Sequence, residues 1–198
     1  MIDLAELDRK VKGAEVPAYD PRLAHIMDEA AYHHYAFQNV GHMYYVYLAK
    51  LVRKLRPRRV VELGTDIGRS ALFMMTQLPA EAELWTVEVG PHEAIDLAPF
   101  RDDPRLHVVK GNDLDSQVIA QVGGEIDLLF IDTNHEFAQV AAEWLIYRDR
   151  LSAYGIAAFD DIHLNPGMER FWQGLEDPKH DCGNELHVSG FGLACPLR

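Results

Sequence analysis

From Val60 onward the sequence alternates short apolar runs with segments of helical periodicity, and few folds accommodate that order. The runs Arg59–Leu63, Leu84–Val89, Leu106–Lys110, Ile126–Asp132 and Gly155–Asp160 are largely apolar. Parallel strands buried on both faces must be so. Between them, Arg69–Leu78, His92–Ala98, Leu114–Val122 and Glu136–Leu151 read as crossover helices. Strand–helix alternation predicts an α/β sheet with helices on both faces. A last helix near Gly167–Leu175 precedes Asn184–Ser189 and Phe191–Pro196, which read as a closing antiparallel hairpin around Gly190. The predicted sheet is therefore mostly parallel and seven-stranded. Glu176-Asp177-Pro178-Lys179-His180-Asp181 reads as a polar loop.

The first 56 residues read as a helical arm ahead of a core spanning 57–198. Asp20-Pro21 is a start signal, a capping carboxylate followed by proline at the first helical position. Leu23, Ile26, Met27, Ala30 and Ala31 then recur at helical spacing, and the aromatic segment Tyr32–Phe37 ends that helix. A second helix is expected after Gly41, with Met43, Val46, Tyr47, Ala49, Leu51, Val52 and Leu55 on its apolar face. It stops at Arg56-Pro57. Two roles are open to His33, His34, Tyr32, Tyr35 and Phe37: a lid over the substrate site, or ordinary helix packing.

Length and charge narrow the function classes. At 198 residues the chain is one domain, and a formal net charge of −12 repels phosphate backbones and anionic membranes. The basic cluster Arg53, Lys54, Arg56, Arg58 and Arg59 reads as a solvated helix end and turn, so no nucleic-acid partner is expected. No apolar run reaches the about 18 residues of a membrane span, and MIDLAELDRK is no signal peptide. Cys182 and Cys195 are too few for a disulfide scaffold. Reduced thiols in the cytoplasm are the expectation; a cross-strand bridge is the alternative.

The candidate chemistry begins where the first strand ends. Val60-Val61-Glu62-Leu63-Gly64-Thr65-Asp66-Ile67-Gly68-Arg69-Ser70 is a strand, a glycine turn and a helix start. Glycines there let backbone approach a ligand, and a helix N-terminus offers unpaired N–H groups. The spacing is not the G-x-G-x-x-G of a dinucleotide turn, and a tight structural connection is the competing reading. Glu88, 20 residues after Gly68, stands at the end of the second strand, where an acid can accept from ribose hydroxyls. Gly111-Asn112-Asp113 ends the third strand, and its polar side chains either meet an adenine ring or cap the next helix.

At these positions the chain resembles the class I S-adenosylmethionine-dependent methyltransferases, over roughly Val60 to Phe171. The resemblance implies a Rossmann-like fold. It also implies cofactor contacts from Glu62, Gly64, Thr65, Asp66, Gly68, Ser70, Glu88, Asn112, Asp113 and Asp132. Asp66 stands where the family often has glycine.

Asp132 ends the fourth strand, and Asp160-Asp161 end the fifth. Neighbouring parallel strands bring these ends together. Three uncompensated carboxylates at close range repel, and a hard divalent cation such as Mg²⁺ resolves the repulsion. Helix and loop capping is the competing reading. The set resembles the metal-dependent small-molecule O-methyltransferases. The catechol type has an amide where Asp161 stands and a lysine where His135 stands. The macrolide-sugar and cephalosporin-tailoring type is the closer match, with Asp-x-x-His followed by two adjacent acids. That resemblance implies Mg²⁺ on Asp132, Asp160 and Asp161, with His135 as general base. His163 is either an extra ligand or a surface histidine. The expected partner is a small hydroxylated acceptor, and homo-oligomerisation is open. Metal-independent transfer and a non-catalytic cofactor-binding module are the alternatives.

Overall fold

The computed structural model describes residues 2–38, 43–91 and 93–197. Its seven strands form one sheet in the order β3-β2-β1-β4-β5-β7-β6. They are β1 (Arg59–Leu63), β2 (Glu83–Glu88), β3 (Leu106–Lys110), β4 (Ile126–Ile131), β5 (Leu151–Asp160), β6 (Lys179–Asp181) and β7 (Phe191–Ala194). The first five are parallel; β7 pairs antiparallel with both β5 and β6.

Side-chain alternation divides the core between the two faces. Val60, Leu84, Leu128, Phe130, Ile156 and Ala158 pack under α1 (Leu4–Lys12), α3 (Tyr44–Leu55) and α4 (Arg69–Gln77). Val61, Leu63, Leu129, Ile131, Ala157 and Phe159 pack under α5 (Ser116–Val122), α6 (Phe137–Tyr147) and α7 (Pro166–Gly174). Both faces of β1 and β4 are buried, which is why their sequences are near-continuous apolar runs. No helix among the described residues is long and apolar enough to cross a membrane.

Several boundaries differ from expectation, for physical reasons. Asp20-Pro21 starts only a 3₁₀ turn, Pro21–Leu23, where Arg22 holds the Asp20 carboxylate at 2.6 Å. Asp28 then restarts the chain as α2 (Glu29–Gln38), accepting from the Ala31 N–H at 2.7 Å. Tyr32–Phe37 thus lie inside a helix. Tyr32 is buried against Tyr19 and Phe73 and donates to the Pro17 carbonyl at 2.9 Å, so it is core, not lid. The side chains of Tyr35 and Phe37, and residues Gly41 and His92, lie outside the described residues. The segment expected as helix from His92 to Ala98 is a 3₁₀ turn over Ile95–Phe100 with Pro99 inside it.

The N-terminal helix α1 was hidden among charged residues. Leu4, Leu7 and Val11 form its buried face, and Asp3 caps it. The arm is not separate from the core: α1 and α3 share one buried cluster with the sheet. The closing hairpin is real, but its first strand is β6, in the segment read as a polar loop. An exposed edge strand tolerates Lys, His and Asp, and such residues discourage edge pairing. Asn184–Ser189 is instead the connection, anchored by buried Leu186. Cys182 and Cys195 are both buried free thiols. The basic cluster is partly committed inside the chain: Arg59 donates to Glu83 at 3.1 Å, and Arg53 to the Glu15 carbonyl.

Gly64 sits where β1 meets β4, with φ +94°. A Cβ there would stand 1.8 Å from the Asp132 carbonyl oxygen. Gly64→Ala should therefore cost at least about 3 kcal/mol, from backbone collision plus a left-handed φ. Urea denaturation checks this; a loss below about 1 kcal/mol would mean the two strand ends separate easily.

Candidate active site

The loop after β1 turns back onto β2. Gly64 and Thr65 donate their N–H groups to the Val87 carbonyl, at 3.0 and 3.2 Å. Asp66 has φ +47° and donates its N–H to Glu88 Oε2 at 2.7 Å; the Gly90 N–H reaches Glu88 Oε1. Glu88 thus clamps two loops. A carboxylate has about four acceptor positions, so hydroxyl donors from a ligand can still be received.

Glu88 opens onto a cleft of about 380 Å³ with Asp66, Val89, Asn112, Asp113 and Asp132 among its walls. A second cleft of about 280 Å³ is lined by Tyr44, Tyr45, Asp66, Arg69, Asp132 and His135. Gly64, Asp66, Asp132 and Thr133 belong to both, so the two clefts meet at the ends of β1 and β4.

Asp132 lines that junction, and two more acids stand behind it, buried and lining neither cleft. Asp132 follows β4, Asp160 ends β5, and Asp161 comes next with φ +57°. His135, at φ +56°, places Nε2 3.2 Å from both Asp132 Oδ1 and Asp161 Oδ2. Neither contact is aligned as a hydrogen bond, and among the described residues this buried nitrogen has no hydrogen-bond partner. Asn165 holds the loop: its Nδ2 donates to the His135 carbonyl at 2.9 Å while its Oδ1 caps α7. Burial pulls the His135 imidazole down, but the Asp132, Asp161 and Asp160 carboxylates outweigh it and hold it above its ordinary value. Burial raises Asp132, and it pushes Asp160 up to about 7, with Asp132 and Asp161 adding to the effect.

His135 Nε2 pairs with two carboxylates by charge without an aligned hydrogen bond, and three carboxyls crowd one place with two imidazoles to offset them. These donors, three aspartates with imidazoles beside them, fit a divalent cation.

Other expected site residues are placed differently. Glu62 is fully buried and lines neither cleft; Ser70 and Thr86 donate hydroxyls to it. Thr65 and Ser70 are buried yet reach the wall of the second cleft. Gly68 lines neither cleft. A Cβ on it would stand 2.7 Å from the Leu97 side chain, so the glycine accommodates the Ile95–Phe100 turn. Neither Asn112 nor Asp113 caps α5, whose N-cap is Asp115. They line the first cleft, while Asn112 Oδ1 accepts from Leu114 N–H at 2.8 Å and Asp113 Oδ1 from Gln139 at 2.9 Å. His163 points away from the acids, with Nε2 2.8 Å from Asp181 on β6.

His187 was missed. Its Nδ1 lies 2.7 Å from Asp160 Oδ1 and 3.2 Å from Asp161 Oδ1. No local pattern marks it; only the antiparallel return of β7 beside β5 carries it there. Glu143 was also missed. It is buried behind the first cleft, receives Gln139 and Thr133, and is pushed up to about 8 by burial and the Asp113 charge.

Residues 61–162 match a family model described as a methyltransferase domain. The chain belongs to that family. Among curated relatives, an O-methyltransferase of Aspergillus thermomutatus (ankF) is 32% identical over 122 residues, covering 58% of this chain and 50% of that one. A catechol O-methyltransferase of Niastella koreensis is 27% identical over 127 residues, covering 61% and 56%. The chain thus spans about half the length of these relatives. Among solved structures, the O-methyltransferase TomG of Streptomyces achromogenes, in complex with SAM, superposes with TM-score 0.68 at 19% identity over 100% of both chains. That identity carries the fold alone, and the fold is the Rossmann-like sheet with its antiparallel hairpin.

Glu62 generates a stability prediction. Burial holds its carboxyl at about 8 when folded, against the ordinary 4.5. Between those pH values the folded chain binds more protons than the unfolded one. The contribution of this group therefore falls as pH rises from about 4.5 through about 8. Glu62→Gln removes that dependence, by up to about 1.4 kcal/mol per pH unit. Denaturation of both proteins from pH 5 to pH 8 reads it, and parallel stability curves would mean Glu62 stays ionised.

Proposed function

We propose that the protein transfers a methyl group from S-adenosylmethionine to a hydroxyl of a small molecule, assisted by Mg²⁺ or a similar ion. One observation carries the reading. Asp132 stands where a cleft bearing a ribose-type acid meets a second, tyrosine-lined cleft, and His135 on the wall of the second cleft links it to Asp161, with Asp160 beside them. Membership of the methyltransferase family and the O-methyltransferase names of the relatives support it.

In this reading Glu88 receives the ribose hydroxyls, and Asn112 and Asp113 face the purine. S-adenosylmethionine supplies an already activated sulfonium methyl. Asp132, Asp160 and Asp161 would hold the cation, which when bound lowers the pKa of an acceptor hydroxyl and fixes its position. Tyr44 and Tyr45 wall the acceptor side. The remaining work is orientation and proton removal. His135 Nε2 takes the acceptor's proton. Its raised basicity reflects the bare carboxylates, and neutralising them returns the imidazole toward a value suited to a base near neutral pH.

His135→Ala should lower kcat by about 10² to 10⁴. The dissociation constant for S-adenosylmethionine should stay within about threefold. Steady-state kinetics and calorimetry read the two effects, and equal loss of both would make His135 a structural residue. Chelation separates the cation from the transfer reaction. EDTA should abolish methylation of a hydroxylated acceptor panel, and Mg²⁺ should restore it. Activity surviving complete metal removal would leave a metal-independent methyltransferase. Tight cofactor binding without turnover on any acceptor would leave a binding module.

A further inference from the structure

The loop between β6 and β7 brings the His187 side chain to the acids. Cys182 N–H donates to the Phe191 carbonyl at 2.8 Å and closes the loop's base. Gly190 N–H donates to the His187 carbonyl at 2.9 Å, and Tyr44 N–H to the Leu186 carbonyl at 3.2 Å. The Tyr44 ring lies 5.0 Å from the His187 ring. These contacts hold the imidazole over Asp160 and Asp161, with ligand-capable atoms of all three within 4.8 Å of one another. Among the described residues, the ion-pair partners of Asp132, Asp160 and Asp161 are His135 and His187 alone.

We propose that His187 is a direct cation ligand, joining Asp160 and Asp161, and that its nitrogen tilts the site toward a first-row transition ion such as Mn²⁺ over Mg²⁺. The inference rests on the cation reading of the proposed function. Bonds of about 2.1 Å place adjacent ligand atoms about 3 Å apart. The Nδ1 separations of 2.7 and 3.2 Å already have that length. Mg²⁺ prefers oxygen ligands and retained water, whereas imidazole suits the transition ions. A second histidine cluster makes the contrast. Around Asp8, His180 and Cys182, the Lys12 ammonium lies 3.0 Å from Asp8, and Tyr47 donates to the same carboxylate at 2.9 Å. There an ammonium supplies a permanent positive charge; at Asp160–Asp161 the partners are two imidazoles and the Ser189 hydroxyl, with His187 hydrogen-bonded to Asp160 Oδ1.

Mn²⁺ is the probe. Titration followed by electron paramagnetic resonance gives its affinity and, by competition, that of Mg²⁺. Electron spin-echo modulation reports whether a nitrogen is bound directly to Mn²⁺. The wild-type chain should bind Mn²⁺ at least about tenfold more tightly than Mg²⁺. It should also show directly bound nitrogen, a signal kept in His135→Ala and lost in His187→Ala. His187→Gln retains a hydrogen-bonding group without the imidazole and should lose the signal too. It serves as the folded control if the alanine variant unfolds, with circular dichroism as the check. Bound Mn²⁺ without direct nitrogen, or nitrogen lost only in His135→Ala, overturns the assignment and leaves the cation reading standing. Equal Mn²⁺ and Mg²⁺ affinity overturns the preference. A folded chain binding neither ion at millimolar concentration overturns the cation reading, and this inference with it.

Discussion

The site depends on the parallel pairing of β1 with β4. The Asp132 N–H donates to the Leu63 carbonyl at 2.9 Å, extending the ladder one residue past the end of β4. That bond draws the loop after β1 against the loop after β4. Only a residue without a side chain fits between them, and Gly64 is there. The glycine that resembles a cofactor-approach residue is thus required first by the protein's own backbone. The two clefts share a wall because these two strand ends touch. The strand order reverses at this point, so the crevice opens between loops leaving in opposite directions.

Around that seam the backbone stores strain where the charge is. Asp66, His135 and Asp161 all have positive φ without being glycine. Each such residue costs on the order of 1–3 kcal/mol and persists only when its surroundings over-determine it. The surroundings can be named. Glu88 accepts the Asp66 N–H, Asn165 binds the His135 carbonyl, and Ser189 donates to the Asp161 carboxylate. His135 and Asp161, which act in the proposed chemistry, and Asp66 on the wall of both clefts are therefore held by neighbours from other segments. Preorganisation of this kind keeps like charges together when the sheet alone would let them part.

Legibility in the sequence depends on how local each signal is. The five parallel strands were legible because burial on both faces leaves almost no polar residue in them. Asp132, Asp160 and Asp161 were legible because parallel topology sends every strand's C-terminal end to one edge. Glu62 misled, since an acid at a strand end looks the same whether it faces a cleft or a buried pair of hydroxyls. β6 was read as loop because an edge strand can be as polar as one. The Asp20 carboxylate does cap, accepting the Arg22 N–H at 2.9 Å, but only a 3₁₀ turn follows Pro21, and Asp28 caps the helix eight residues later. His187 had no local signature at all.

That last omission has a structural cause with consequences for the site. β5 ends in the acids, and any residue meant to face them from the outer side must come from the strand paired beside β5. Here that strand is antiparallel, so its N-terminal end, and the loop before it, arrive at the ligand-binding edge. The parallel half of the sheet can deliver only residues that come after a strand; β7 delivers residues that come before one. Histidines therefore reach the carboxylates from two directions, His135 after β4 and His187 before β7. The arm contributes Tyr44 between them, at the start of α3 and against the His187 ring. A small acceptor entering the second cleft would meet Tyr44 and Tyr45 of the arm, the loop after β1 and His135 after β4, three distant stretches of chain. Its selection is thus a property of the assembled fold, not of any one segment.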